Sequence, residues 1–407
     1  GLNHFQQFER HLLAPHDESA RRTFLSGVRN EMPHETFLEL AAWYGSVGRT
    51  ADARRVLALA PGATEVLYWR AWLAALENDA EAATLLREAE AASPEMVFPF
   101  RAESLDVFEW AAQKAPGWKA KYYLALVRWA LNDLDGAREL LERVGDEPRY
   151  APFYAARAEA MAAVSRARAR ADLERAIDLD PRAWRFGKRL AEHLLQDGEV
   201  EQARQVAARY AAAEPSNYVI GMLHARTLLR AGRYAEADAL LRRLEVLPFE
   251  GAIEGRLLYR EAQLMLGVES LRASRFDSLL ERVKAAREWP EHLGAGKPYP
   301  EQVDERLEDW LQALGLERSG RTAEAEAVWK RVSADRRPGF GLLLNALALK
   351  RLGRAAEAGR ALDEWASAAK DSSLAAWGKS VFAGSPVPLP PAVRDLEPRV
   401  FAHVSSY

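Results

Sequence analysis

Eight histidines, at positions 4, 11, 16, 34, 193, 224, 292 and 403, are what a metal or proton-transfer centre would have to be built from, because the chain has no cysteine. A zinc-binding helix needs His-Glu-x-x-His so that both imidazoles share one face; His34-Glu35-Thr36-Phe37-Leu38 lacks the second one. His4 and His11 share a helix face but have no carboxylate at ligand spacing. Gly294-Ala295-Gly296-Lys297 resembles a phosphate cradle, yet Glu291 and Pro298 stand where glycine and a hydroxyl residue are required. Gly378-Lys379-Ser380 fails likewise, with Ser373 in the glycine position of an otherwise helical stretch. Glu301, Asp304, Glu305, Glu308 and Asp309 could supply an acid/base pair, but at helical spacing they read as a solvated face. No Ser-His-Asp elbow is present. The expectation is no metal, no cofactor and no enzyme.

The elements that would have to position any site come next. At 407 residues the chain is long enough for two or three domains of roughly 150 residues, or for one elongated array. Hydrophobic residues make up 49% and charged residues 28%, the composition of a folded chain. Lys and Arg number 56 against 59 Asp and Glu, interleaved, so no basic footprint for nucleic acid is expected. The apolar runs fall short of the roughly 18 residues a membrane span needs. The opening Gly1-Leu2-Asn3-His4-Phe5 has neither an initiator Met nor a signal sequence, so a fragment of a longer protein is expected. The compartment is not encoded, with the cytoplasm slightly favoured.

Prolines set a period. Pro148, Pro181, Pro215 and Pro248 lie 33, 34 and 33 residues apart, and Pro61 to Pro94 is another 33. Gly-Arg pairs recur between them, followed by Ala: Gly48-Arg49 with Ala53, Gly232-Arg233 with Ala237, Gly320-Arg321 with Ala325, and Gly353-Arg354 with Ala358. A helix ending at a glycine with positive φ, a second helix packed back through a small residue, and a stopping proline make a helical hairpin. One hairpin cannot bury its own apolar face, so neighbours must stack.

This pattern resembles the tetratricopeptide repeat. The resemblance implies an all-α, right-handed superhelical solenoid of helix-turn-helix repeats, nine or ten in number. Expected regions are an N-terminal helical cap or linker at 1–34, repeats over 35–248, an expanded repeat with a Gly/Pro loop at 249–300, repeats over 301–370, and a capping helix with an extended Pro-rich tail at 371–407, lying over the final hairpin. The motifs Leu2-Asn3-His4-Phe5, Asn30-Glu31-Met32-Pro33-His34-Glu35, Trp43-Tyr44, Tyr68-Trp69 and Trp289-Pro290-Glu291-His292-Leu293-Gly294 look like those of a bacterial family. In that family a mutarotase-like β-sandwich of unknown function precedes a tetratricopeptide array. That resemblance implies an absent upstream domain connected with carbohydrate.

Aligned on the Gly-to-Ala turn, the repeat's fold implies an inner wall carrying Lys119, Tyr122, Leu126 and Trp129, then Tyr154, then Arg185, Lys188 and Glu192, then Met222, Arg226 and Arg230, with Trp310 further on. The loop Trp289, His292, Lys297 and Tyr299 would form a rim. Aromatics beside Arg and Lys suit an acidic peptide or a terminal carboxylate, and also a sugar ring. The same aromatics at helical spacing could instead be core. The expected function is a non-catalytic scaffold holding a protein or peptide segment, or its own upstream domain, on a concave face. The alternative is an accessory module of a bacterial carbohydrate-active enzyme that contributes to glycan binding or oligomerisation. Neither nucleic acid nor membrane is an expected partner.

Overall fold

A computed structural model of the chain describes residues 2–369, 371–385 and 387–407. Gly1 of the opening motif, Lys370 at the end of the last expected repeat and Pro386 of the Pro-rich tail lie outside the described residues. Among the described residues there is no strand, and no helix is long and apolar enough to cross a membrane. The helices form two compact units, the first ending at Phe186 and the second beginning at Gly187.

The first unit holds α1 (His4–Leu13), α2 (Glu18–Gly27), α3 (Pro33–Ser46), α4 (Thr50–Ala58), α5 (Thr64–Leu76), α6 (Ala82–Ala91), α7 (Ser104–Lys114), α8 (Lys119–Ala130), α9 (Leu134–Val144), α10 (Ala151–Met161) and α11 (Arg166–Leu179). Helix α12 (Trp184–Gln196) carries the division. The second unit continues with α13 (Val200–Ala213), α14 (Tyr218–Arg230), α15 (Tyr234–Leu241), α16 (Glu254–Arg272), α17 (Phe276–Ala286), α18 (Arg306–Arg318), α19 (Thr322–Ala334), α20 (Gly341–Arg351), α21 (Ala355–Ala368), α22 (Ser372–Ala383) and α23 (Leu396–Ala402). Successive helices pair as hairpins, α3 with α4, α10 with α11, α18 with α19, and neighbouring hairpins stack within each unit.

The turn chemistry explains the hairpins. Gly232 has φ +72° and Gly353 +76°, the left-handed conformation that closes a helix at least cost when no Cβ is present. The Arg that follows then donates its backbone N–H five residues back, Arg233 to Leu228 O at 2.9 Å and Arg354 to Leu349 O at 2.9 Å, which satisfies a terminal carbonyl. Where glycine is missing, Asn78 and Asn132 take the same conformation, as the short amide side chain permits. The alanine that follows the turn is buried each time, at 53, 237, 325 and 358, so the paired axes can approach closely.

Three regions depart from the period. Helices α1 and α2 pack Phe8 and Phe24 against Tyr44 and Phe37, and Asn3 caps α1 with Gln6 in a reciprocal box. Helix α7 stands without a hairpin partner of its own, preceded by an extended stretch over Val97–Arg101. The tail after Ser385 is extended only at first. Its Asp395-Leu396-Glu397-Pro398 sequence starts α23, with the proline inside the first turn, where a missing N–H costs nothing. That helix packs on α16, and its Phe401 also reaches Phe340 at the start of α20 and Trp377 of α22.

Candidate functional site

In the first unit the aromatics of the expected inner wall pack between hairpins. Tyr122 is buried against Trp118, Tyr150 and Phe153, at ring-centroid distances of 5.9, 6.2 and 5.6 Å. Tyr154 is buried too; its hydroxyl donates to Pro148 O at 3.0 Å and Asp146 O at 3.2 Å. The Arg157 guanidinium stacks on the Tyr154 ring and forks onto Asp172 at 2.9 and 2.7 Å. Lys119 caps α6, donating Nζ to the carbonyls of Glu90 and Ala92. Burial pulls the pKa of that ammonium below its ordinary value, against the pull of Glu90. Trp129 and Leu126 are half-buried against the same core. Arg185 is exposed and lies over Trp184, and in the second unit Lys188 pairs with Glu192 at 2.8 Å. Tyr122, Tyr154 and Met222 are buried, and Trp310 is buried against Trp329 of α19 and Phe401 of the C-terminal segment.

In the second unit the first helices α14, α16, α18 and α20 carry charge, and the C-terminal segment lies on them. Glu397 accepts from Arg260 Nη1 at 2.5 Å, while Arg260 Nε and Nη2 hold the buried Glu308 at 2.5 and 2.9 Å. Burial alone would depress the Arg260 pKa; Glu308 and then Glu397 outweigh it and raise it. Arg399 forks onto Glu261 at 2.7 and 2.8 Å, and Arg230 reaches the same carboxylate at 3.4 Å. Burial first, then the Arg399 charge, push the Arg230 pKa down. Arg226 pairs with Glu254. Phe401 is wholly buried against Trp310, Phe340 and Trp377, with centroids at 5.4, 5.7 and 6.2 Å. Arg272 donates to His403 Nδ1 at 3.0 Å; burial and the Arg272 and Arg399 charges keep that imidazole's pKa low, which suits an acceptor nitrogen. Arg351 donates to Tyr407 O at 2.8 Å.

The expected rim loop is anchored on the turn after α15. Val246 N donates to His292 O at 2.8 Å, His292 Nε2 lies 3.1 Å from Leu241 O, and Gly294 takes φ +75° to close the turn. Trp289 is half-buried beneath the Arg256 guanidinium, 4.7 Å from the ring centre. Burial, then Arg260, push the Arg256 pKa to about 10. Tyr299 and Lys297 are exposed, and Lys297 borders a cleft of about 480 Å³.

Around that cleft Glu301 and Asp304 of the acidic run are exposed, but Glu308 and Asp309 are buried. Asp309 accepts from Arg287 at 2.6 Å and from Arg331 at 2.9 and 2.7 Å; Asp304 forks with the buried Arg306 at 2.9 and 2.6 Å; Arg337 holds Asp335 at 2.5 Å. Sequence reading missed Arg287 and Arg331, which reach Asp309 from other helices, and Arg306 and Arg337, which each fold back on an aspartate two residues earlier. Arg306 beside Asp304 was the available signal, since a charged pair two residues apart at a helix start can fork only if the guanidinium folds back.

Residues 100–152 and 159–218 match the sequence model of the tetratricopeptide repeat, which spans α7 to α9 and then α11 to α13. The hairpins flanking those residues share the same helix-turn-helix form. No curated protein is a significant sequence match. Solved structures similar to the chain include a tetratricopeptide repeat protein from Parabacteroides merdae, with 13% identity over 70% of this chain and 98% of that one at a TM-score of 0.33. Yeast Tom70 gives 15% identity over 94% of each chain at 0.35. Naa15/Naa10 bound to HypK-THB gives 14% over 99% of this chain and 67% of that one at 0.30. Nothing functional follows from likenesses at that level, and the expected upstream sandwich rests on the sequence resemblance alone.

Proposed function

We propose that the chain is a non-catalytic interaction scaffold and that the first-helix face of its second unit receives a polypeptide segment. The observation that supports this is the C-terminal segment itself. It supplies an acid to Arg260, a guanidinium to Glu261 and a phenyl ring to Trp310, Phe340 and Trp377, so the face already recognises peptide chemistry of alternating charge around an aromatic anchor. A partner segment of like pattern would compete with the tail. The tail has the advantage of tethering, which raises its local concentration to the millimolar range.

The test uses the full chain and a labelled peptide with the sequence of residues 390–407. The unaltered protein is expected to bind the peptide poorly, because the face is filled from within. The doubly substituted protein Glu397→Gln, Arg399→Gln, whose own tail is loosened, is expected to bind it at least tenfold more tightly. Failure of that folded variant, verified by circular dichroism, to take up the peptide would sink the proposal.

A further inference from the structure

A second cavity, of about 520 Å³, lies in the first unit between the start of α5 and the loop after α6. Glu65 lines it from the first turn of α5 and is only 4% exposed. Its Oε1 accepts from Ser104 Oγ at 3.0 Å, and that hydroxyl in turn accepts from Trp69 Nε1 at 3.1 Å. Its Oε2 accepts no hydrogen bond from the described residues, and no cation lies within ion-pair distance of it among them. Arg101, the nearest positive group to act on it, is committed to Glu35, with Nε at 3.0 Å and Nη2 at 2.9 Å from Oε2. A desolvated carboxylate without a counter-charge is costly, and its neighbours Glu35 and Glu95 share its sign.

Met96 and Val97 line the cavity on one side, and Phe98 and Phe100 follow them on the same loop. Met96 is 69% exposed and sits at φ +57°, a left-handed conformation rare for a methionine, while Phe98 and Phe100 are 50% and 54% exposed. These three lie on the loop before helix α7, which packs against α5 and α8. Exposed large side chains grouped beside a buried charge mark a contact surface.

We infer that this cavity receives the ammonium of a lysine side chain on a partner polypeptide, whose flanking apolar residues rest on Met96, Phe98 and Phe100. The cation is called for by the unmatched carboxylate. An ammonium fits better than a guanidinium, because Ser104 occupies Oε1 and leaves one acceptor oxygen where a fork needs two. A divalent metal would need further oxygen ligands, and no group of three metal-ligating side chains occurs among the described residues. This site does not rest on the second unit's face and would stand if that reading failed.

Burial, then Glu35, push the Glu65 carboxyl up to about 7, with Ser104 and Arg101 pulling the other way. The remaining ionisable groups around it are His34 and Glu35 of α3, Glu95 and Arg101 of the loop, and Tyr123 of α8. Cation binding therefore tightens as pH rises, by about tenfold between pH 6 and pH 8 for a carboxyl titrating near 7.

The probe is the blocked tripeptide Phe-Lys-Leu, titrated calorimetrically into the full chain beside its Nε-acetyl-lysine and arginine counterparts. The lysine peptide is expected to bind at least tenfold more tightly than the acetylated one and several-fold more tightly than the arginine one. Glu65→Gln should abolish both the preference and the pH dependence. His34→Gln should keep both, and Phe98→Ser should weaken every peptide without altering the fold. Equal affinity for the lysine and acetyl-lysine peptides, a pH dependence that survives Glu65→Gln, or no binding at millimolar concentration would each overturn the inference.

Discussion

The cleft beside the 288–303 loop and the cavity at Glu65 are near equals in size, about 480 against 520 Å³, yet their charges are arranged in opposite ways. Around the cleft, Arg287, Arg306, Arg331 and Arg337 are each bound to a carboxylate, Arg287 and Arg331 across helices onto Asp309 and the other two locally, so the charges neutralise one another and brace α17, α18 and α19. In the cavity a carboxylate is buried with one oxygen idle and its nearest guanidinium already engaged. Matched charges hold a fold together; an unmatched one has more to gain from a ligand than from anything inside the molecule. A similar contrast separates the two sets of first helices: aromatics that fill each other's space in α8 and α10, charges that pair with the C-terminal segment in α16.

The contrast can be broken most forcefully at its matched end. Arg260→Met leaves Glu308 buried without a partner and should cost about 3–5 kcal/mol in the second unit, read from the denaturant midpoint, with much of it regained in Arg260→Met, Glu308→Leu. At the unmatched end the sign reverses. Because the folded Glu65 binds its proton more tightly than the unfolded chain does, the first unit loses stability as pH rises from about 4.5 to about 7, then levels off. Glu65→Gln should abolish that slope and stabilise the unit at pH 8 by up to roughly 3 kcal/mol, with little change at pH 4. Thermal unfolding at the two pH values measures it. Gly353→Ala, which forces a Cβ into positive φ, should cost about 1–2 kcal/mol. Arg321→Ala, at an exposed pair with Glu324, should leave the melting temperature where it was.

What was legible in the sequence was local. The Gly-Arg turns, the buried alanines after them and the stopping prolines each act within a few residues, so their spacing announces hairpins. The site residues depend on partners far along the chain. Glu308 sits in an acidic run that looks solvated because its guanidinium, Arg260, is 48 residues away. Glu65 carries no mark at all, since a glutamate in the first turn of a helix is ordinary there. Tyr122 and Trp310 could be placed on a first helix but not turned to the correct side, because one residue of register rotates a side chain by about 100°.

The tail's hydrogen bonds to α16 span 131 to 138 residues, in an architecture built mostly from contacts between neighbouring hairpins. Stacks of repeats ordinarily fray from an end, one layer after another. Here the last helix is stitched to the third hairpin back, so peeling the end would also strip Arg260 and Glu261 of α16 of ionic partners and uncover Trp310 of α18. Hydrogen exchange across α16, α18 and α20 should accordingly proceed in a single cooperative opening, with amides far apart in the chain sharing one protection factor.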